Sequence, residues 1–117
     1  MRNMVLVLAV AAVLQGEAGV LGPDGMTAVA DTMLARLDSP DFPDTWEGVL
    51  RGYYAYEEPG PEAIAIAYAA VMHTWDHDDY VYAYSAADIR SRRWREGDQV
   101  IRGRGAELHL ARSWPGR

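Results

Sequence analysis

The sequence predicts a single α+β domain, with helices first and a small antiparallel sheet after them. Two observations predict the order of elements. Up to Trp75 apolar side chains recur at helical spacing; from there on the chain turns to short aromatic, alternating runs broken by Gly and Arg. A third observation sets the scale: 117 residues, 50% of them hydrophobic, make one real core and are too few for two domains.

The first helix is predicted over residues 2–15. Residues 4–14 carry no polar side chain, and a helix apolar on every side belongs in a core or a membrane. At about 14 residues the run falls short of the roughly 20 that span a bilayer, so no membrane is expected as partner. Arg2 and the Ala9-Val10-Ala11 triplet imitate a secretion signal. Cleavage after Ala11 would remove half of the best core helix, so processing is not expected. Gly16, Gly19, Gly22, Pro23 and Gly25 then punctuate a loop. Asp24 is placed to cap a second helix, whose stripe is Met26, Val29, Ala30, Met33, Leu34 and Leu37.

Residues 39–43 stop that helix. Asp44-Thr45-Trp46-Glu47 reads as a capping box, with Asp44 as cap, for a short third helix buried through Trp46, Val49, Leu50 and Tyr53. After a loop over 57–61, a fourth helix is predicted over 62–74, with Ile64, Ala67, Tyr68, Val71, Met72 and Trp75 as its stripe. Residues 76–79 are a polar loop. Residues 80–84 alternate as a strand, with Tyr80, Tyr82 and Tyr84 on one face. Residues 86–98, Arg-rich around Trp94, read as a loop with one helical turn. Residues 99–102 and 107–110 are strands, with Gly103 and Gly105 between them.

Composition narrows the chemistry. There is no Cys, hence no disulfide framework and no thiolate metal site. All 11 basic residues are Arg, and they are unevenly placed: residues 1–80 carry 3 Arg against 13 acidic residues, residues 81–117 carry 8 against 4. A basic end could meet a polyanion such as nucleic acid or an acidic wall polymer. More often such a bias is solvated surface, and nucleic acid is not the expected partner. His73 and His77 stand at metal-ligand spacing beside Asp76, Asp78 and Asp79, but a helix ending near Thr74 turns His77 off the face. No metal and no cofactor is expected. No phosphate loop, nucleophile elbow or dinucleotide fingerprint occurs.

Glu17 stands where the apolar run meets the Gly-rich stretch. A carboxyl at the edge of apolar mass is partly desolvated, which should raise its pKa and let it carry a proton near neutral pH. That is what a general acid for glycosidic cleavage needs. The plainer reading is a loop Glu that caps or solvates. Tyr53, Tyr54, Tyr56, Tyr80, Tyr82, Tyr84 and Trp94 are many aromatics for this length, and sugar faces stack on such rings. The plainer reading there is a core and rim that use tyrosine.

The stretch Glu17-Ala18-Gly19, then Gly25, Ala28-Val29-Ala30 and Ala35-Arg36-Leu37, resembles the opening of the SleB-type cell wall hydrolases: an apolar helix, an E-A-R-G-E-like segment, G-x-x-A-V-A and a helix ending in N-R-V. Phe42-Pro43-Asp44-Thr45 with Val49-Leu50 matches the family's F-P-x-T and V-I pair; the aromatic strand, Trp94 and His109 fit its weaker C-terminal half. The resemblance implies a lysozyme-like fold and cleavage of peptidoglycan glycan strands between N-acetylmuramic acid and N-acetylglucosamine, commonly as a lytic transglycosylase, in a phage endolysin or a spore-cortex enzyme acting on the cell wall. It makes Glu17 the catalytic carboxyl, facing a cleft between helices and sheet. Tyr53, Tyr54, Tyr82, Tyr84, Ser85, Trp94 and His109 become the substrate-binding candidates, and Arg92, Arg93 and Arg95 are expected to aid affinity. The chain departs from the pattern at Leu21 (the family's second Glu), Ala55 (a hydroxyl residue in G-Q-F-S/T), Ser85 (an Asn), and Glu107 and Ala111 around His109. These departures motivate an alternative: a glycan-binding or structural component of a phage particle that kept the fold, with particle proteins as partners.

Overall fold

The computed structural model describes residues 2–92 and 94–116, apart from the side chains of Arg2 and Arg92. Its order is α1 (Arg2–Ala18), a 3₁₀ turn (Gly19–Leu21), α2 (Gly22–Asp38), α3 (Trp46–Leu50), α4 (Pro61–His73), β1 (Tyr82–Ser85), α5 (Ala86–Arg92), β2 (Gln99–Gly103) and β3 (Ala106–Ala111). The α+β order is the one the sequence predicts.

Helix α1 buries Val7, Val10, Ala11, Leu14 and Ala18, spaced to form one stripe. Met4, Val5 and Leu8 are exposed, so the apolar helix has one wet side. The continuous helical stretch Asn3–Asp38 includes an 18-residue window apolar and long enough to cross a membrane by composition; 33% of that window is buried in the molecule. Helix α4 packs on α1 through the buried small residues Ala63, Ala67 and Ala70, which let two helix axes approach closely. Helix α2 supplies Met26, Val29, Ala30 and Met33 to the same core.

The predicted glycine loop is largely helical. Helix α1 continues through Gly16 to Ala18, and only Gly22, at φ 73°, takes the left-handed conformation that turns the chain into α2. Gly16 answers a different need, a close approach by another segment. Two caps also differ from expectation. Asp24 makes no capping hydrogen bond; the cap position is Leu21, with Pro23 in the first turn, and Asp24 remains there as a favourable charge for the helix dipole. Thr45, not Asp44, caps α3: its Oγ1 accepts the Gly48 N–H at 3.1 Å from an extended backbone.

The sheet order is β1-β3-β2, antiparallel throughout, with Tyr82 opposite Ala111, Tyr84 opposite His109, and Val100 opposite His109 from the other side. Alternation therefore gives the sheet two distinct faces. Leu108 and Leu110, with Ala83 and Ile101, pack into the helical core. Tyr82, Tyr84, Val100 and His109 project from the opposite face. Residues 86–92 form α5 rather than a single turn; at its start the Ser85 N–H and Oγ both donate to Asp88 Oδ2, at 3.0 and 3.1 Å.

Candidate active site

Glu17 lies in the last turn of α1, half-buried. Its Oε1 accepts two backbone N–H groups, from Tyr54 at 3.3 Å and Ala55 at 3.2 Å. Among the described residues Oε2 accepts no hydrogen bond. The carboxyl is thus anchored by one oxygen and, among the described residues, unbonded at the other.

The donors come from residues 51–60, an irregular segment laid along α1. The Glu57 N–H donates to the Ala12 carbonyl at 3.0 Å, and the Gly60 N–H to Gln15 Oε1 at 3.0 Å. The segment passes over Gly16 so closely that a Cβ there would lie 2.5 Å from the Tyr56 Cα and 2.6 Å from the Ala55 carbonyl carbon. Gly16 is what permits the contact that brings Tyr54 and Ala55 onto Glu17.

Tyr53 pins the same segment to α2. Its hydroxyl shares a 2.7 Å hydrogen bond with Thr32 Oγ1, which donates to the Val29 carbonyl at 2.6 Å. Burial pushes the Tyr53 phenol's pKa up, the nearby Arg36 charge and the Thr32 hydrogen bond oppose this, and the Glu17 carboxyl adds a smaller upward push. Arg36, only 9% exposed, lies over the rings of Tyr53 at 4.6 Å, Phe42 at 4.7 Å and Tyr82 at 5.6 Å. Its Nε donates to the Val81 carbonyl at 2.6 Å, and among the described residues it pairs with no carboxylate. A buried guanidinium held by aromatic faces thus ties α2, the 51–60 segment and the entry to β1 together. Arg36 is absent from the apolar stripe of α2, and helical periodicity gives no sign of its burial, which depends on Phe42, Tyr53 and Tyr82 from other segments.

The remaining candidates do not gather at Glu17. Tyr54 is 87% exposed and adjoins it through its backbone. Tyr84 is buried on the outer sheet face, where its hydroxyl donates to the Arg95 carbonyl at 3.0 Å and its ring stacks on His109 at 5.6 Å; burial raises its pKa. His109 is 2% exposed. Its Nδ1 accepts the Gly97 N–H at 3.1 Å, which places the remaining ring proton on Nε2, facing Glu107 Oε2 at 3.1 Å. That hydrogen bond and a second from Arg102 hold the Glu107 pKa below its ordinary value. Trp94 meets Tyr84 edge-on at 5.1 Å. Ser85 bonds Asp88 at the start of α5. Tyr53 braces the segment that reaches Glu17, while Tyr84, Ser85 and His109 are bonded to partners away from it. Of the tyrosine candidates, Tyr82 faces a groove, with Phe42 and Trp114.

Two further placements bear on the expectations. Contrary to the expected cleft between helices and sheet, Glu17 lines none of three surface concavities on the molecule; these lie by Tyr82 and Trp114, by Arg90, Arg102 and Arg104, and by Trp75 and His77. The turn that follows it does reach the sheet: Leu21 approaches Gly103 at the β2–β3 hairpin. Arg93 and the Arg92 side chain lie outside the described residues, while Arg95 is engaged internally with Ser113 and, at 3.6 Å, with Asp98. His77 pairs with Asp38 at 2.6 Å. Among the described residues no group of three or more His, Asp or Glu side chains converges as a metal site would require.

No family model matches this chain, and neither the characterised proteins nor the solved structures compared with it give a match.

Proposed function

We propose that this chain is a lysozyme-like domain that cleaves peptidoglycan glycan strands between N-acetylmuramic acid and N-acetylglucosamine, with Glu17 as its general acid and base. The observation that carries the reading is the fixing of one Glu17 oxygen by the Tyr54 and Ala55 N–H groups, with the other left unbonded, at the end of an apolar helix. A proton on the unbonded Oε2 is transferred to the glycosidic oxygen as the C1–O bond breaks. The carboxylate so formed takes the proton of the muramic acid C6 hydroxyl, whose oxygen closes on C1 as a 1,6-anhydro ring. One carboxyl serves both steps, so the second carboxylate of ordinary glycoside hydrolysis is not needed.

The SleB-type resemblance over residues 8–50 supports the choice of substrate. Ala55, which contributes its N–H where the family has a hydroxyl residue, favours the second reading: a glycan-binding or structural component of a phage particle. Incubation of purified peptidoglycan with the protein, followed by mass spectrometry, separates the two. Anhydro-muropeptides are the expected products; new reducing ends would replace the transglycosylase by a hydrolase, and an unchanged sacculus would leave only the binding role.

A further inference from the structure

Between the end of α2 and the outer sheet face lies a groove of about 580 Å³ whose walls include Asp41, Phe42, Tyr82, Arg112, Ser113 and Trp114. We propose that this groove is a carbohydrate subsite, in which one neutral N-acetylated pyranose ring stacks on the Trp114 indole. The choice of sugar rests on the glycan-strand reading above; the groove itself is separate from Glu17.

Trp114 is 60% exposed, an unusual position for the largest apolar side chain. It is nonetheless fixed. Tyr82 and Trp94 pack against it in T-shaped geometry, with ring centroids 5.6 Å and 5.2 Å away and ring planes at 77° and 66°. The chain on either side is tied down by Arg95, whose N–H donates to the Pro115 carbonyl at 2.9 Å and whose Nη2 donates to the Ser113 carbonyl at 3.0 Å. A platform held in advance loses little freedom when a ligand lands on it.

The polar groups around it select the ligand. An anion is disfavoured, because the walls hold Asp38, Asp41 and Asp79 against the Arg112 cation, with His77 already paired to Asp38. An aromatic cage for a cation is already filled from within, since Arg36 occupies the faces of Phe42 and Tyr82. What remains is one indole, an Asp41 carboxylate with no hydrogen bond among the described residues, and an Arg112 guanidinium that commits its Nε to Asp79 and its Nη2 to Tyr80. Asp41 can accept from a ring hydroxyl and the spare Arg112 N–H can donate to one. An apolar floor with a few converging polar groups is how sites orient small polar ligands.

The test uses triacetylchitotriose as probe and amide and indole NMR shifts as readout, on the protein and on its Glu17→Gln variant. Saturable shifts at the Trp114 indole and the Phe42 and Tyr82 amides are expected, alike in both proteins. Trp114→Ala and Asp41→Ala, each checked for an unchanged fold by its spectrum, should weaken binding roughly tenfold or more. Absence of saturable shifts, binding undiminished in both variants, or the same shifts with putrescine but not with the sugar would each overturn the subsite. The outcome is independent of catalysis: a fully active Glu17→Gln protein would remove the catalytic reading, while these shifts alone decide the groove.

Discussion

Glu17 and Gln differ in one respect that matters here. Gln keeps an Oε1 that can accept from Tyr54 and Ala55, and it lacks the transferable proton. Glu17→Gln is therefore expected to lower the rate of peptidoglycan cleavage by at least ~100-fold, the lower end of what a general acid contributes, with the melting temperature unchanged or raised. Glu47, Glu57, Glu58 and Glu62 are the controls, and their Gln variants should retain activity; loss in one of these instead of Glu17 sinks the assignment. Another side chain makes a pH-dependent pair. The Asp38 carboxylate, followed by the Asp78 carbonyl, holds the His77 pKa above its ordinary 6.5. A raised folded-state pKa means stabilisation that is complete below the unfolded value and is lost as pH rises through the folded one. Asp38→Asn should thus be destabilising at pH 5.5 by at most about 1 kcal/mol, as for other solvent-screened pairs. By pH 9 the difference should close or reverse, since Asp38 ends α2, where the helix dipole disfavours a carboxylate. Thermal melts at the two pH values measure this, and a gap that widens with pH contradicts it. At this scale the sequence was partly legible. Glu17 could be read from an apolar run ending in a carboxyl, whereas the internal partners of Tyr84 and His109 depend on strand pairing across 25 residues, which no local pattern carries.

At the scale of elements, the site is a contact between the end of α1 and the 51–60 segment. Gly16 makes the contact possible, and its replacement sets two effects against each other. Ala is the better helix former by about 1 kcal/mol. Its Cβ would sit 2.5–2.6 Å from backbone atoms of Tyr56 and Ala55, which must then move, and overpacking of this kind costs ~1–3 kcal/mol or more. The clash involves backbone on both sides and should win: Gly16→Ala is expected to lower stability in denaturant titration and to reduce cleavage, because it displaces the two N–H donors of Glu17. A stabilised, fully active variant would show that the segment can shift freely. Helices α1, α2 and α4 and strands β2 and β3 were legible to within a few residues from periodicity and glycine placement. The 51–60 segment was not, because its position is set by hydrogen bonds to Ala12, Gln15 and Glu17 and not by a repeat of its own. The same ignorance made Gly16 look like a loop residue.

For the whole molecule, the question posed by the apolar first helix is whether it serves a water-soluble core or a bilayer, since by composition either is open. The geometry of Glu17 depends on the packing of α1, since its donors reach it only while the 51–60 segment is laid against that helix. The two environments treat charge differently. In the folded domain the faces of α1 are unequal, with Val10 fully buried and Val5 exposed. A carboxylate at Val10 would be buried without a partner, so Val10→Asp should cost more than about 4 kcal/mol and yield little folded protein. Val5→Asp should fall within about 0.5 kcal/mol of the parent and leave cleavage intact, as surface changes do. In a bilayer no such contrast holds, because a charge within the hydrocarbon is costly on any lipid-facing side and both variants would suffer. Denaturant titration of both proteins in detergent-free buffer, with activity alongside, distinguishes the cases. Equal sensitivity at Val5 and Val10 would mean that α1 works in a membrane, and that the Glu17 arrangement is not the form in which the chain acts.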